Sequence, residues 1–215
     1  MKYKAVIFDL DGTLVNSIKD IADAMNEVLI RKNYSTYTYD IYKTFVGSGL
    51  KKLVVRALPS ELSKTKEVED CLLEMLAIYS KNCTNKTAPY DGVIDLLEEL
   101  KKLPLKVSIL SNKEDSLTKK VASAVLPNIF APVLGLKEEA LKKPNPKVAL
   151  QLSEGLGINP EEIIYVGDSD VDMQLAKNAG FLPVGVSWGF RSKEELIKNG
   201  AARILNIPSD LLTLL

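Results

Sequence analysis

Two aspartates two positions apart, Asp9 and Asp11, follow an apolar run and are followed by Gly12 and Thr13. Two carboxylates this close repel each other in a dry site unless a cation or a lysine compensates them. Four fixed residue types in this order match by chance on the order of one time in a thousand for a chain of this length. The motif therefore indicates a site for metal binding or for acid–base or nucleophilic chemistry by carboxylates.

Three further polar segments follow, or lie near, other apolar runs. Ser111-Asn112 offers short side chains and backbone N–H groups that could hold an oxyanion, although such pairs are also common in turns. Lys143, in Lys143-Pro144-Asn145-Pro146, is either a solvated lysine at a helix start or a cation held at the site. The acids from Asp168 to Asp172 indicate a cation site or a helix cap.

The apolar runs are short and unalternating, which is typical of parallel strands buried on both faces. The strands are predicted at 3–8, 105–110, 163–166 and 182–186, with weaker candidates at 131–134 and 203–205. Amphipathic helices alternate with them from Asp91 onward. The predicted fold class is α/β, a doubly wound Rossmann-like parallel sheet. Because the carboxyl ends of parallel strands share one edge, the four polar segments are expected to meet there.

The interval between the first two strands is too long for one helical crossover, and its apolar residues follow the helical period. We therefore predict a small all-helical domain inserted after the first strand. The predicted division is 1–14 and 87–215 for the catalytic core and 15–86 for the helical cap.

Composition restricts the chemistry further. The chain has 215 residues with 28 basic and 28 acidic side chains, and this balance argues against a nucleic-acid partner. It has no histidine, so proton transfer would fall to carboxylates, lysine, tyrosine or cysteine, and a metal site would use oxygen ligands, as Mg²⁺ or Ca²⁺ sites do. Two unpatterned cysteines predict a reducing, cytoplasmic location. No membrane span or signal peptide is expected.

The four segments together closely resemble the motifs of the haloacid dehalogenase-like hydrolase superfamily, in order and spacing over nearly the whole chain. The helical insert resembles the cap of the phosphoglycolate phosphatase-like branch. Two shorter segments carry that second likeness, namely the cap loop Val46-Gly47-Ser48-Gly49 and the junction Tyr90-Asp91-Gly92-Val93.

The resemblance implies an Mg²⁺-dependent phosphatase in which Asp9 attacks phosphorus to give an aspartyl-phosphate. Asp11 would protonate the leaving oxygen and then activate water. Mg²⁺ would be held by the Asp9 carboxylate, the Asp11 backbone carbonyl and the Asp168 carboxylate. The remaining expected roles are phosphate binding by Ser111, Asn112 and Lys143, support by Thr13, Ser169 and Asp172, and cap contact with substrate by Gly47, Ser48 and Gly49.

The resemblance also orders the alternatives. Dehalogenases and phosphonatases of the superfamily lack the second aspartate, which is present here, and mutases of the β-phosphoglucomutase type usually carry a cap histidine. The expected partner is a small-molecule phosphate ester, with phosphoglycolate favoured over pyrophosphate, sugar phosphates and nucleotides. A mutase or a non-catalytic binding protein stays as the remaining alternative. Asn16 and Asp91 depart from the family's usual residues, and the oligomeric state, monomer or dimer, is left open.

Overall fold

A computed structural model describes residues 2–215. Its strands are Ala5–Phe8 (β1), Val15–Asn16 (β2), Ala88–Pro89 (β3), Lys106–Glu114 (β4), Val133–Leu136 (β5), Ile163–Gly167 (β6), Leu182–Val186 (β7) and Arg203–Leu205 (β8). Its α-helices are Ile18–Arg31 (α1), Tyr39–Phe45 (α2), Leu50–Ala57 (α3), Glu67–Asn82 (α4), Val93–Lys101 (α5), Asp115–Val125 (α6), Lys147–Leu156 (α7), Asp170–Ala179 (α8) and Lys193–Lys198 (α9). Short 3₁₀ segments lie at Ser60–Leu62, Glu139–Leu141, Pro160–Glu162 and Pro208–Leu214.

Within residues 2–215, six strands form one parallel sheet in the order β5-β4-β1-β6-β7-β8. Strand β1 shows why its apolar run does not alternate. Val6 and Phe8 belong to the apolar cluster on one face, and Ala5 and Ile7 belong to the cluster on the other. Because helices cover both faces, every β1 side chain is buried. The predicted α/β, doubly wound fold class is confirmed.

The chain from α1 to α4 is helical and lies between β2 and β3, as the periodicity predicts. Its helices pack on one another through side chains such as Met25, Leu53 and Met75, which are fully or almost fully buried. This packing joins the apolar cluster beneath the sheet without a break. The division into core and cap at residues 15 and 86 stays a prediction, although the helical content of the insert matches it.

Strands β2 and β3 form a two-residue antiparallel ribbon that connects the helical insert to the sheet, and the sequence did not predict it. Buried Asp20 anchors the ribbon, because its carboxylate accepts hydrogen bonds from the backbone N–H groups of Lys86 and Thr87 at 2.9–3.0 Å. The Thr87 hydroxyl donates a further bond to it at 2.7 Å. The two chain segments that enter and leave the insert are therefore tied side by side.

The bounds of two predicted strands differ most from the structure. The second predicted strand, placed at 105–110, continues as β4 to Glu114, so Ser111 and Asn112 lie within the strand instead of directly after it. The strand placed at 131–134 lies at Val133–Leu136. The pairing of β4 with β5 changes register between Leu110 and Glu114. The last part of β4 therefore contains polar residues that are buried, and a criterion based on apolar runs does not detect them.

Candidate active site

The site lies where the order of the strands reverses. Strand β1 is flanked by β4 on one side and β6 on the other, and the chain winds outward in both directions from this point. Open α/β sheets bind ligands in the crevice beyond the carboxyl ends at such a reversal. Asp9 directly follows β1, and its backbone N–H donates to the Val166 carbonyl of β6 at 2.9 Å. Asp168 follows β6, so the two aspartates are neighbours.

Three buried carboxylates converge there. Asp9, Asp168 and Asp172 each offer an oxygen within 4.8 Å of the others. Burial raises the pKa of Asp9 to about 6; the charges of Asp172 and Asp11 add to this rise, and Lys143 opposes it. Burial, together with Asp172 and Asp9, raises the pKa of Asp168 well above its usual range. The cluster therefore favours an added positive charge, which a proton or a metal ion supplies.

Lys143 is the buried cation within this cluster. Its Nζ lies 2.8 Å from Asp9 Oδ1 and 2.7 Å from Asp172 Oδ1. It also donates to the Tyr165 hydroxyl at 3.0 Å and to the Leu110 carbonyl at 3.3 Å. Although burial alone disfavours the cation, Asp172 and Asp9 raise the pKa of Lys143 well above its usual value. Lys143 is thus held as a fixed positive charge. The alternative interpretation, a solvated lysine at a helix start, is wrong.

Asp172 and Ser169 organise the start of α8. Asp172 is fully buried, and its Oδ2 accepts bonds from the Ser169 backbone N–H at 3.1 Å and from the Ser169 hydroxyl. Its Oδ1 faces Lys143 and the Tyr165 hydroxyl. A side chain at Gly167 would place its Cβ 2.4 Å from the Asp172 Cβ, so this position excludes any larger residue. The helix-capping interpretation of these acids is therefore confirmed, and Asp172 is also paired with Lys143. The cation site stays a prediction.

The turn Asp11-Gly12-Thr13 lies next to Asp168. Gly12 has φ +88°, and a Cβ there would lie 2.2 Å from Asp168 Oδ2, so glycine is required by conformation and by space. The Thr13 carbonyl accepts a bond from the Trp188 indole N–H at 3.0 Å. Asp11 is half-buried, and its oxygens accept bonds from Lys113 Nζ at 2.8 and 2.9 Å. Both members of the aspartate pair thus have a lysine partner.

Ser111 and Asn112 lie on β4, on the other side of β1, and both are buried. The Asn112 side chain accepts a bond from the Lys143 backbone N–H at 2.8 Å and donates to the Lys143 carbonyl at 3.3 Å. It also donates to the Gly47 carbonyl at 3.3 Å. Asn112 therefore positions the lysine and joins the sheet to the cap loop. Ser48 and Gly49 are half-buried beside Gly47, in the connection between α2 and α3.

Sequence reasoning missed three side chains at this edge. Lys113 shares the face of Ser111 at a spacing of two, which is the signal that could have identified it. Tyr79, on α4, belongs to none of the sequence motifs, and its hydroxyl accepts a bond from Lys113 Nζ at 2.6 Å. Arg191 follows β7, where the strand-end rule applies, and its guanidinium donates to the Val46 carbonyl at 2.7 Å and to the Lys43 carbonyl. Through these contacts, Lys113 and Arg191 on the sheet side are bonded to residues of the helical insert.

In the described part of the chain, none of the helices has the length and apolar character needed to cross a bilayer.

The fold and this cluster define an α/β enzyme whose site is built from carboxylates and lysines. The sequence model of the haloacid dehalogenase-like hydrolases matches residues 6–186. A phosphoglycolate phosphatase of Psychrobacter arcticus is 34% identical over 203 residues, covering 91% of this chain and 88% of that protein. The phosphoglycolate phosphatase of Aquifex aeolicus is 33% identical over 213 residues, covering 99% and 96%.

Structural comparison gives the same answer. A crystal structure described as a predicted phosphoglycolate phosphatase from Haemophilus somnus superposes with a TM-score of 0.91 at 27% identity, covering 100% of this chain and 98% of that one. The chain belongs to the haloacid dehalogenase-like hydrolase family, within its phosphoglycolate phosphatase-like branch. The family and the enzyme class predicted from the sequence, a phosphatase, are confirmed.

Proposed function

We propose that this chain hydrolyses a small phosphomonoester, with 2-phosphoglycolate favoured, through an aspartyl-phosphate formed on Asp9. The observation that carries the proposal is the position of the Asp9 carboxylate. It is buried at the reversal point of the sheet, next to Asp168 and 2.8 Å from Lys143. The names of the Psychrobacter arcticus and Aquifex aeolicus relatives support the choice of substrate.

The residues present fit Mg²⁺. The donor set is entirely oxygen, which this ion prefers. Within residues 2–215, Asp9 Oδ1 receives no hydrogen bond of acceptable geometry, although the Lys143 ammonium group lies beside it. Asp9, Asp168 and the backbone carbonyl of Asp11 would hold the ion. Asp172 would support them from behind, since both of its oxygens already have partners. When bound, Mg²⁺ supplies positive charge that offsets the carboxylates and the phosphoryl oxygens.

The residues of the chain then divide the chemical work. An Asp9 oxygen attacks phosphorus, and the bond between phosphorus and the ester oxygen breaks. Asp11 gives a proton to the departing oxygen and later takes one from the water that hydrolyses the intermediate. Ser111, Asn112 and Lys143 bind the phosphoryl oxygens, and Thr13 and Ser169 hold the turn and the helix that carry the acids. None of these steps requires a histidine.

We also propose that residues 15–86 act as a cap over a core formed by 1–14 and 87–215. The contacts of Asn112 with Gly47 and of Arg191 with Val46 support a cap that rests on the sheet edge. In this position the loop Gly47-Ser48-Gly49 would exclude bulk water and contact the substrate. Two unpaired, buried cysteines, Cys71 and Cys83, agree with the proposed cytoplasmic location.

Phosphate release tests the proposal. The purified protein with Mg²⁺ is given 2-phosphoglycolate, pyrophosphate, a sugar phosphate and a nucleoside monophosphate, and the Asp9→Asn variant is measured in parallel. The expected result is turnover by the wild-type protein and loss of turnover in Asp9→Asn. Asp170→Asn, which changes a nearby acid on α8, is the matched control and should stay active. An Asp9→Asn variant within tenfold of wild type would overturn the mechanism, and no release from any ester would overturn the function.

A further inference from the structure

Lys113 is a buried lysine to which the proposed chemistry assigns no role. Its side chain is 2% exposed, and its Nζ donates to Asp11 at 2.8 and 2.9 Å and to the Tyr79 hydroxyl at 2.6 Å. Asp11 belongs to the sheet edge and Tyr79 to helix α4 of the insert. The lysine therefore stands at the boundary between the two, next to the proposed acid–base residue.

A small cavity connects this lysine with the reacting group. Its floor consists of Asp9, Asp11, Ser111 and Lys113, and apolar residues of the insert such as Leu50 and Leu53 face it from above. Among the described residues that line this cavity, Lys113 is the only lysine or arginine. Lys143 does not line this cavity, and the proposed function assigns it to the phosphoryl oxygens. A second anionic group on a substrate that entered this cavity would thus meet Lys113 as the cation of its lining.

The contacts of Lys113 with Asp11 suggest how a substrate carboxylate could act at this lysine. Lys113 holds both oxygens of Asp11, so neither is free to approach an ester oxygen. A substrate carboxylate that took the place of Asp11 at Nζ would form an equivalent charge-assisted bond. One oxygen of Asp11 would then be released toward the ester. The neutral Tyr79 hydroxyl would keep the lysine in place during this exchange.

We propose that Lys113 is the specificity-determining residue of this site and binds a carboxylate of the substrate. The enzyme then favours phosphomonoesters that carry a carboxylate on the carbon next to the ester oxygen. The inference rests on the proposed function, since it concerns the substrate of the same site. A lysine that only neutralised Asp11 would act equally on every phosphomonoester, and this difference makes the two roles separable.

The test compares 2-phosphoglycolate with ethyl phosphate, which has the same chain length but a methyl group in place of the carboxylate. In the wild-type protein we expect kcat/KM to be about 100-fold higher for 2-phosphoglycolate, as for other buried charge pairs. Lys113→Met should reduce kcat/KM for 2-phosphoglycolate by about 100-fold and for ethyl phosphate by less than about fivefold. Lys113→Arg, which keeps the charge, should retain part of the preference.

Lys120→Met is the matched control, because Lys120 also reaches from the sheet region to the insert and donates to the carbonyl of Ser80, next to Tyr79. It lies outside the cavity and should leave the ratio of the two kcat/KM values unchanged. Equal losses for both substrates in Lys113→Met would overturn the inference, as would a wild-type protein without preference that still hydrolyses phosphomonoesters. Absence of all phosphate release would instead overturn the proposed function. If Lys113→Met does not fold, an unchanged ratio in Lys113→Arg overturns the inference, and a ratio at least fivefold lower supports it.

Discussion

Replacing Asp172 by asparagine removes the buried negative charge behind the site while keeping the size of the side chain. Asp172 is fully buried and accepts bonds from Lys143 Nζ at 2.7 Å, the Tyr165 hydroxyl at 3.2 Å and the Ser169 backbone N–H at 3.1 Å. These donors now share the two carboxylate oxygens of Asp172, whereas an asparagine would offer them a single acceptor oxygen. Its NH₂ group must therefore face either the lysine or Ser169, donor against donor.

The magnitude follows from what is left buried. Among residues 2–215, Lys143 would keep Asp9 as its only carboxylate neighbour, and breaking one side of a buried ion pair costs roughly 3–5 kcal/mol. We expect Asp172→Asn to lower the free energy of unfolding by about 3 kcal/mol. For a chain of this size each kcal/mol lowers Tm by about 2–4 °C, so the expected decrease is about 6–12 °C.

Thermal and urea unfolding of four proteins measure this effect: wild type, Asp172→Asn, Lys143→Met and the double variant. Because the double variant contains neither the buried cation nor its lost partner, its destabilisation should be at least about 1 kcal/mol smaller than the sum of the two single ones. Asp170→Asn is the control on the same helix. Asp170 is half-buried in the first turn of α8, and its loss should cost about 0.3–1 kcal/mol. The reasoning fails if Asp172→Asn melts with this control or if the two single effects add.

Three other perturbations have expected outcomes. Gly12→Ala places a methyl group 2.2 Å from Asp168 Oδ2, at a backbone φ of +88°. We expect it to lower the free energy of unfolding in urea by about 3 kcal/mol and to abolish phosphate release. Near-wild-type stability and activity would contradict this geometry. Asp20→Asn removes the carboxylate oxygen that accepts a bond from the Thr87 N–H, and should lower the free energy of unfolding by about 1–3 kcal/mol. It should also speed proteolysis between α4 and β3, which mass spectrometry of the fragments would show. Burial raises the pKa of Cys71 to about 11, so about 0.1% of this thiol is ionised at pH 8, against about a quarter of an ordinary one. A thiol reagent at pH 8 should modify Cys71 only after unfolding, and rapid labelling of the folded protein would contradict this expectation.

The sequence could predict the part of the site that follows from strand geometry. Asp9 and Asp168 each follow an apolar run that needs no tertiary knowledge to recognise, and parallel strands bring their carboxyl ends together. The spacing of Asp168 and Asp172 likewise predicts a common direction once a helix begins between them, and α8 begins at Asp170.

What the sequence could not predict depends on tertiary partners. A lysine such as Lys113 is usually solvated, and only the positions of Asp11 and Tyr79, 102 and 34 residues away along the chain, make it a buried cation. The end of β4 was missed for a related reason. Its polar residues interrupt the apolar pattern, and partners distant along the chain, such as Lys143 for Asn112 and Asp11 for Lys113, cover them. The β2–β3 ribbon has two residues in each strand, too few for any periodicity to be detected.

The charges of the site explain why a divalent cation suits it. Four carboxylates face the reversal point of the sheet, and the two buried lysines among them leave two negative charges unmatched. Burial raises the pKa values of Asp9 and Asp168, and the neighbouring aspartates raise them further, so each carboxyl group binds a proton more readily than it does in water. A divalent cation held by the same oxygens would favour the ionised form of both groups. Asp9 could then act as a nucleophile near neutral pH without a histidine, because the lysine and the cation, and not a base, keep its carboxylate charged.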